Sequence, residues 1–251
     1  MNPTAYAANT VRILKQLRGD HRTVAMLLVV PSVLLILLYF IYADTPTMPG
    51  QPSLFDRVAT SMLGILPFIV MFLVTAITMQ RERTSGTLER LMTTPMAKLD
   101  LLAGYATAFS ATACAQAVIA CAVSFGLLGL TTQGSVGLVI LIAIVDAVLG
   151  VALGLLASAF ARTEFQAVQF IPLVVAPQLF LCGLLVPRDQ LPGWLQAISD
   201  VLPLSYAVDA LGEVARHPGA TADMWLDLTI VAGFAIVALC LAAATLRRRT
   251  A

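Results

Sequence analysis

Residues 80–100 read QRERTSGTLERLMTTPMAKLD, a run that carries Arg81, Glu82, Arg83, Glu89, Arg90, Lys98 and Asp100 between two apolar stretches, 58–79 and 101–128. Each flanking stretch is long enough to cross a hydrocarbon core of about 30 Å. Charge this dense cannot stay in lipid, so the chain leaves the membrane here and turns back. Within the run, Ser85 or Gly86 can cap a helix, Glu89 falls in its first turn where the helix dipole favours an acid, and Thr94-Pro95 ends it. The expected product is about two helical turns. Leu88, Leu91 and Met92, spaced i, i+3 and i+4, give this short helix an apolar face. No other segment outside the spans is large enough to bury it, so the face is covered by a partner protein, or it rests on the bilayer or on the N-terminal helix.

Outward from this run the chain is apolar almost throughout. Of its 251 residues 59% are hydrophobic and 12% charged, with a mean hydropathy of +0.89, values that exclude a water-soluble domain. Residues 4–18 form an amphipathic helix with Tyr6, Ile13, Leu14 and Leu17 on one face and Arg12, Lys15 and Arg18 on another, suited to the membrane interface. Six spans follow at about 24–42, 58–79 (broken by Pro67), 101–128, 136–160, 165–186 and 228–246. Pro172 and Pro177 kink the fifth. The fold class is an all-α membrane protein, one transmembrane domain over residues 1–251. Of the 15 Lys and Arg residues, only Arg57, Arg188 and Arg216 fall on the side opposite the 80–100 run. By the positive-inside rule that run and both termini are cytoplasmic. Cys114, Cys121, Cys182 and Cys240 lie in or beside apolar runs and are read as buried small hydrophobes, not as a redox or metal set.

The external segment 187–227 holds two short helices, 194–202 and 203–215, the second with Pro203 in its first turn and Leu204, Ala207, Val208, Leu211 and Val214 along one side. With Trp194, Tyr206 and Trp225 at headgroup level, they dip into the outer leaflet or lie on it. Asp146 is the one acid inside an expected span, on a face shared with Gly150, Gly154 and Ser158, and it meets a substrate, relays a proton or is a structural acid. Gln116 and Gln178 are further candidates for lining a path, or else packing contacts. Neither Lys15 nor Lys98 follows a glycine, which removes a phosphate-binding GxxxxGK[ST] loop. His21 and His217 fall on opposite sides, which removes a histidine metal pair or a Ser-His dyad. The chain is read as a transport protein and not an enzyme, without metal, bound cofactor or nucleic-acid partner.

Two motifs resemble those of the membrane subunit of bacterial ABC-2 type exporters, most nearly the daunorubicin-resistance permeases. One is Glu82-Arg83-x-x-Gly86-Thr87-Leu88-Glu89-x-Leu91-x-x-Thr94-Pro95; the other is Gly183-x-x-x-Pro187, then Leu191-Pro192-x-Trp194-Leu195-x-x-Ile198 and Pro203-Leu204-Ser205-Tyr206. The resemblance implies that Gly86–Thr93 is a coupling helix docked on a separately encoded ATPase, which binds ATP and Mg. Its contact residues would be Glu82, Arg83, Gly86, Thr87, Leu88, Glu89, Leu91 and Met92. It implies an N-terminal interface helix, a second permease chain in a homo- or heterodimer, a bacterial plasma membrane location and outward export of a drug or lipid. Gly183, Pro187, Trp194, Pro203 and Tyr206 become external gate candidates. Cys182 departs from the family, where serine is frequent. The alternatives are a glycan-exporting ABC-2 permease and a stand-alone secondary transporter or channel, against which stands the missing inverted repeat.

Overall fold

The computed structural model describes residues 3–46, 52–93 and 97–245. Every regular element among them is helical: α1 (Pro3–Gly19), α2 (His21–Tyr42), α3 (Leu54–Thr84), α4 (Thr87–Met92), α5 (Lys98–Gly126), α6 (Val136–Ser158), α7 (Glu164–Phe170), α8 (Ala176–Leu181), α9 (Gly193–Ser199), α10 (Pro203–Arg216) and α11 (Ala222–Thr245). Six stretches are long and apolar enough to cross a membrane: α2, α3, α5, α6, the segment 164–181 containing α7 and α8, and α11.

The axis of the bundle is the parallel pair α3 and α6, which pack more extensively than any other two elements. Gly150 and Gly154 make this possible, because a Cβ on either would fall on the backbone of α3, at Phe68 and Phe72. The small-residue stripe of α6 therefore buries against α3, as such stripes do between membrane helices. Around the axis sit three apolar clusters. One, near the 80–100 end, joins Ile13, Leu17, Met79, Leu101, Tyr105 and Ala242. The second, at the opposite end, joins Phe55, Leu63, Ile142, Leu211 and Met224. The third joins Phe68, Phe72, Leu149, Val175, Leu204 and Val231. The α2 helix and the 164–181 segment bury the least of their surface.

Several expected boundaries shift, each for a local reason. The second span is not broken at Pro67: α3 runs unbroken through it for 31 residues. A capping box, in which Asp56 N donates to Ser53 Oγ and Ser53 N to Asp56 Oδ2, starts it four residues early. The kinks are concentrated in the fifth span. Between α7 and α8 the residues Ile171–Val175 form a π-turn in which Ala176 N bonds Ile171 O. Pro172 and Pro177 remove two donors there, and the wider turn absorbs the loss. That span ends at Leu181, not 186, and the last begins at Ala222, so Trp225 belongs to α11 and not to the external segment.

Candidate functional site

At the end of α3 the chain makes an elbow. Ser85 closes α3, its N–H bonding Arg81 O at 2.9 Å. Gly86 then takes φ +73°, the left-handed region that glycine enters without strain. Its carbonyl accepts from Arg90 N at 3.1 Å, so Gly86 opens α4 while Ser85 ends α3. Arg90 is exposed. Leu91 is half-buried against the cluster that holds Ile13, Leu17, Met79 and Leu101, so part of the apolar face expected to await a partner is covered from within the chain. The side chains of Leu88, Glu89 and Met92, and the stop signal Thr94-Pro95, lie outside the described residues. Arg83 is half-buried, with Nε and Nη2 closed to solvent and without a hydrogen-bond partner among the described residues. The Thr87 hydroxyl stays local, 3.0 Å from Ser85 Oγ.

Glu82, expected on the partner-facing surface, points inward and is 4% exposed. Its Oε1 accepts from Gln16 Nε2 at 3.2 Å and lies 3.7 Å from Arg12 Nη1. Arg12 donates to Tyr105 Oη at 2.7 Å and lies over its ring. Asn9 completes the set, taking Arg12 on its Oδ1 and donating to Leu101 O at 3.0 Å. The polar residues of α1 thus share its buried side with Ile13 and Leu17. Beside this junction Arg81 makes two bonds to Glu164, at 3.0 and 3.2 Å, clasping α3 to α7.

The path candidates are all sealed in the bundle. Asp146 is fully buried, and neither oxygen has a hydrogen-bond partner among the described residues. A Cβ on Gly64 would lie 3.2 Å from its Oδ2 and 2.9 Å from Leu211 Cδ1, which sets the acid where α3, α6 and α10 meet. Gln116, on α5, is buried too, with both amide atoms unpaired among the described residues. Gln178 is a packing residue: its Nε2 donates to Val174 O at 3.0 Å, and its Oε1 accepts from Leu204 N at 3.3 Å. It mends the proline-disturbed fifth span and caps α10.

At the opposite end Arg188 gathers the gate candidates. It donates to Ser199 Oγ at 2.9 Å and to the carboxylates of Asp209 and Asp200, and it lies over the Tyr206 ring. The Tyr206 hydroxyl donates to Asp200 O at 2.6 Å. Gly183, at φ +90°, leaves room for the Arg188 stem, Pro187 precedes the 3-10 turn Arg188–Gln190, and Pro203 is buried at the start of α10. Trp194 stands apart, 68% exposed. Burial pushes the Asp209 carboxyl above the ordinary aspartate range, and the Arg188 guanidinium beside it pulls the other way. The α10 helix does not lie on a leaflet: Leu204, Ala207, Leu211 and Val214 are buried against α3, α6 and α11, so it re-enters the bundle.

An elbow helix after the second span and a helical hairpin packed into the bundle before the last occur together in this order. The sequence matches the ABC-2 type transporter family over residues 4–214. The chain belongs to that family. The ABC-2 chain is 26% identical over 172 residues to ABC transporter G family member 20 of Dictyostelium discoideum, covering 68% of this chain and 24% of that one. It is 25% identical over 171 residues to the probable multidrug ABC transporter permease YbhR of Escherichia coli K12, covering 68% and 46%. Over 243 residues it is 24% identical to the daunorubicin resistance permease protein DrrB1 of Streptomyces coeruleorubidus, covering 93% and 84%. It therefore spans about a quarter of the first and half of the second, but most of the third.

Two groups in this ABC-2 chain escape a sequence reading. Arg188 counts there only as one outer cation, although it organises the hairpin. Arg12 falls with Lys15 and Arg18 on the basic face, yet it turns inward to Tyr105. Asn9 in line with Ile13 and Gln16 is the signal that could have shown it, since a polar stripe on a buried helix face asks for partners.

Proposed function

We propose that the chain is the permease subunit of an ATP-driven exporter in a bacterial plasma membrane, with both termini and α4 cytoplasmic. The observation that carries this is the elbow: a two-turn helix hung through Ser85 and Gly86 from the end of a 31-residue helix. Most of the chain's Lys and Arg residues gather at that end, which supports a cytoplasmic face. A separate ATPase that binds ATP and Mg docks on α4 and on the exposed side of α3's last turn, with Arg83 and Thr87 in reach. Because α3 packs along α6, a push on α4 is passed into the bundle. A second permease chain completes the transporter, and the cargo is a hydrophobic or amphiphilic drug or lipid, in keeping with an apolar interior that carries few polar groups. Gln116 and Asp146 meet the path only when the bundle opens.

The test is co-purification with the ATPase encoded beside the permease gene. Wild-type chain retains that ATPase in detergent, and Gly86→Val, which forces a branched side chain into the left-handed region, loses it at equal membrane abundance. Wild-type chain that retains no ATPase overturns the proposal.

A further inference from the structure

Glu82 carries a second consequence. We infer that the junction of Glu82, Arg12, Gln16 and Tyr105 is the joint through which motion of the elbow reaches α1 and α2, so that Glu82 is a positioning residue within the permease and not a contact for the ATPase. The inference rests on the ATPase-driven reading.

Four features of the geometry support it. First, Glu82 lies three residues before Ser85, on the last turn of α3, so any displacement of the elbow moves it. Second, its carboxylate is bound to α1 from two positions one turn apart, by Arg12 at 3.7 Å and Gln16 at 3.2 Å. Third, Arg12 is itself fixed, by Tyr105 Oη at 2.7 Å and by Asn9 Oδ1 at 3.3 Å, so it cannot yield without releasing α5. Fourth, α1 ends at Gly19 and α2 begins at His21, leaving Asp20 alone between them. Asp20 caps α2 through the Thr23 N–H and hydroxyl, at 3.1 and 2.7 Å, so α1 and α2 cannot move independently. The run from α4 through Glu82 to α2 is one chain of polar contacts, an ion pair from Arg12 and a hydrogen bond from Gln16 among them. It ends on a span with only 22% of its apolar window buried, which meets little resistance from the bundle.

Two further polar contacts of α1, Asn9 Nδ2 to Leu101 O at 3.0 Å and the Tyr6 hydroxyl with Thr107 Oγ1 at 2.8 Å, reach α5 and not α3. The remaining contacts are apolar and lack direction, with Ile13 and Leu17 among Leu27, Met79 and Leu101. They hold the helix against the bundle but allow sliding. The ionic joint fixes register, because a partly buried carboxylate with its guanidinium has one favourable geometry, and losing either partner strands the other.

Paired spin labels test this without knowledge of the cargo, on a chain whose four cysteines are replaced and which is bound to the ATPase encoded beside it. Labels at Arg18→Cys on α1 or Arg90→Cys on α4 are each measured against Val136→Cys at the far end of α6. In wild type, ATP with vanadate shifts both distances by about 2 Å or more, the scale of helix displacements at interfaces. With Glu82→Gln, which keeps the shape and the Gln16 bond, the Arg90 shift persists and the Arg18 shift is lost. The exchange Arg12→Glu with Glu82→Arg restores it. An undiminished Arg18 shift in Glu82→Gln overturns the inference. If Glu82→Gln fails to assemble, the double exchange decides: assembly with no Arg18 shift overturns it, and a restored shift supports it. Absence of any Arg90 shift in wild type overturns instead the ATPase-driven reading.

Discussion

The carbonyl oxygen of Phe68 lies 2.4 Å from the point where a Cβ on Gly150 would begin. No side chain, not even a methyl, fits between α3 and α6 at that level without parting two backbones. Gly150→Ala is expected to destabilise the protein by about 1–3 kcal/mol, the usual cost of overpacking, read as a lower midpoint of thermal unfolding in detergent. Gly137→Ala on the same helix, whose nearest neighbour would be Ser135 Oγ at 3.9 Å, leaves the midpoint unchanged or slightly raised.

Asp146 gives the opposite sign. An acid with no partner costs its surroundings, so Asp146→Leu is expected to raise the unfolding midpoint by the equivalent of about 1–3 kcal/mol while lowering transport. Asp146→Asn should lower transport less. A leucine variant that transports at the wild-type rate removes Asp146 from the path.

Asp56 ties three pieces together at the N-terminal end of α3. Beyond its capping box with Ser53, its carboxylate accepts from Thr131 N and Oγ1, both at 3.0 Å, which pins the loop between α5 and α6. Asp56→Ala should cost about 1–2 kcal/mol, the upper range for a lost helix cap. Hydrogen exchange should rise at Thr131 and in the first turn of α3, with the rest of α3 unchanged.

Much of this was legible because lipid enforces it. Spans, loops and the elbow follow from apolar run length and from the charges between, and the outer helices from Pro203 with its apolar stripe. Depth was not legible. The pattern of α10 is that of an interfacial helix, and only the slot between α3, α6 and α11 shows that it is buried. Nor does periodicity reveal direction for a charged residue: Glu82 and Arg12 look solvent-facing in isolation, and their partners, Gln16 for one and Tyr105 and Asn9 for the other, appear only in the folded chain. The 3.6 period finds a helix face; what that face meets depends on partners distant in the chain.

Glu213 predicts a pH dependence. The Arg216 bond at 2.9 Å, and then the Thr221 bond at 3.1 Å, hold its carboxyl below the ordinary glutamate value, with His217 3.1 Å away. A lowered value means that ionised Glu213 stabilises the fold above the ordinary range, about pH 4.3. That contribution is lost as pH falls through the lowered value. Hydrogen exchange at Thr221 to Trp225 should therefore accelerate on acidification below about pH 4, and Glu213→Gln should show the faster exchange already at neutral pH with a flatter profile.

The stitching of α10 to the fifth span by Leu204 N on Gln178, and of α9 to it by Ser199 on Leu181 O at 2.8 Å, has a consequence for biogenesis. Leu63, Phe68 and Ile142 face a slot that α10 fills, and all three are synthesised well before Pro203. A nascent chain that has inserted four spans therefore holds an open cleft, which closes only after residues 203–216 have folded back into the bundle. Assembly of this protein ends with α10, and a chain halted before that step presents the cleft to whatever surveys incomplete membrane proteins.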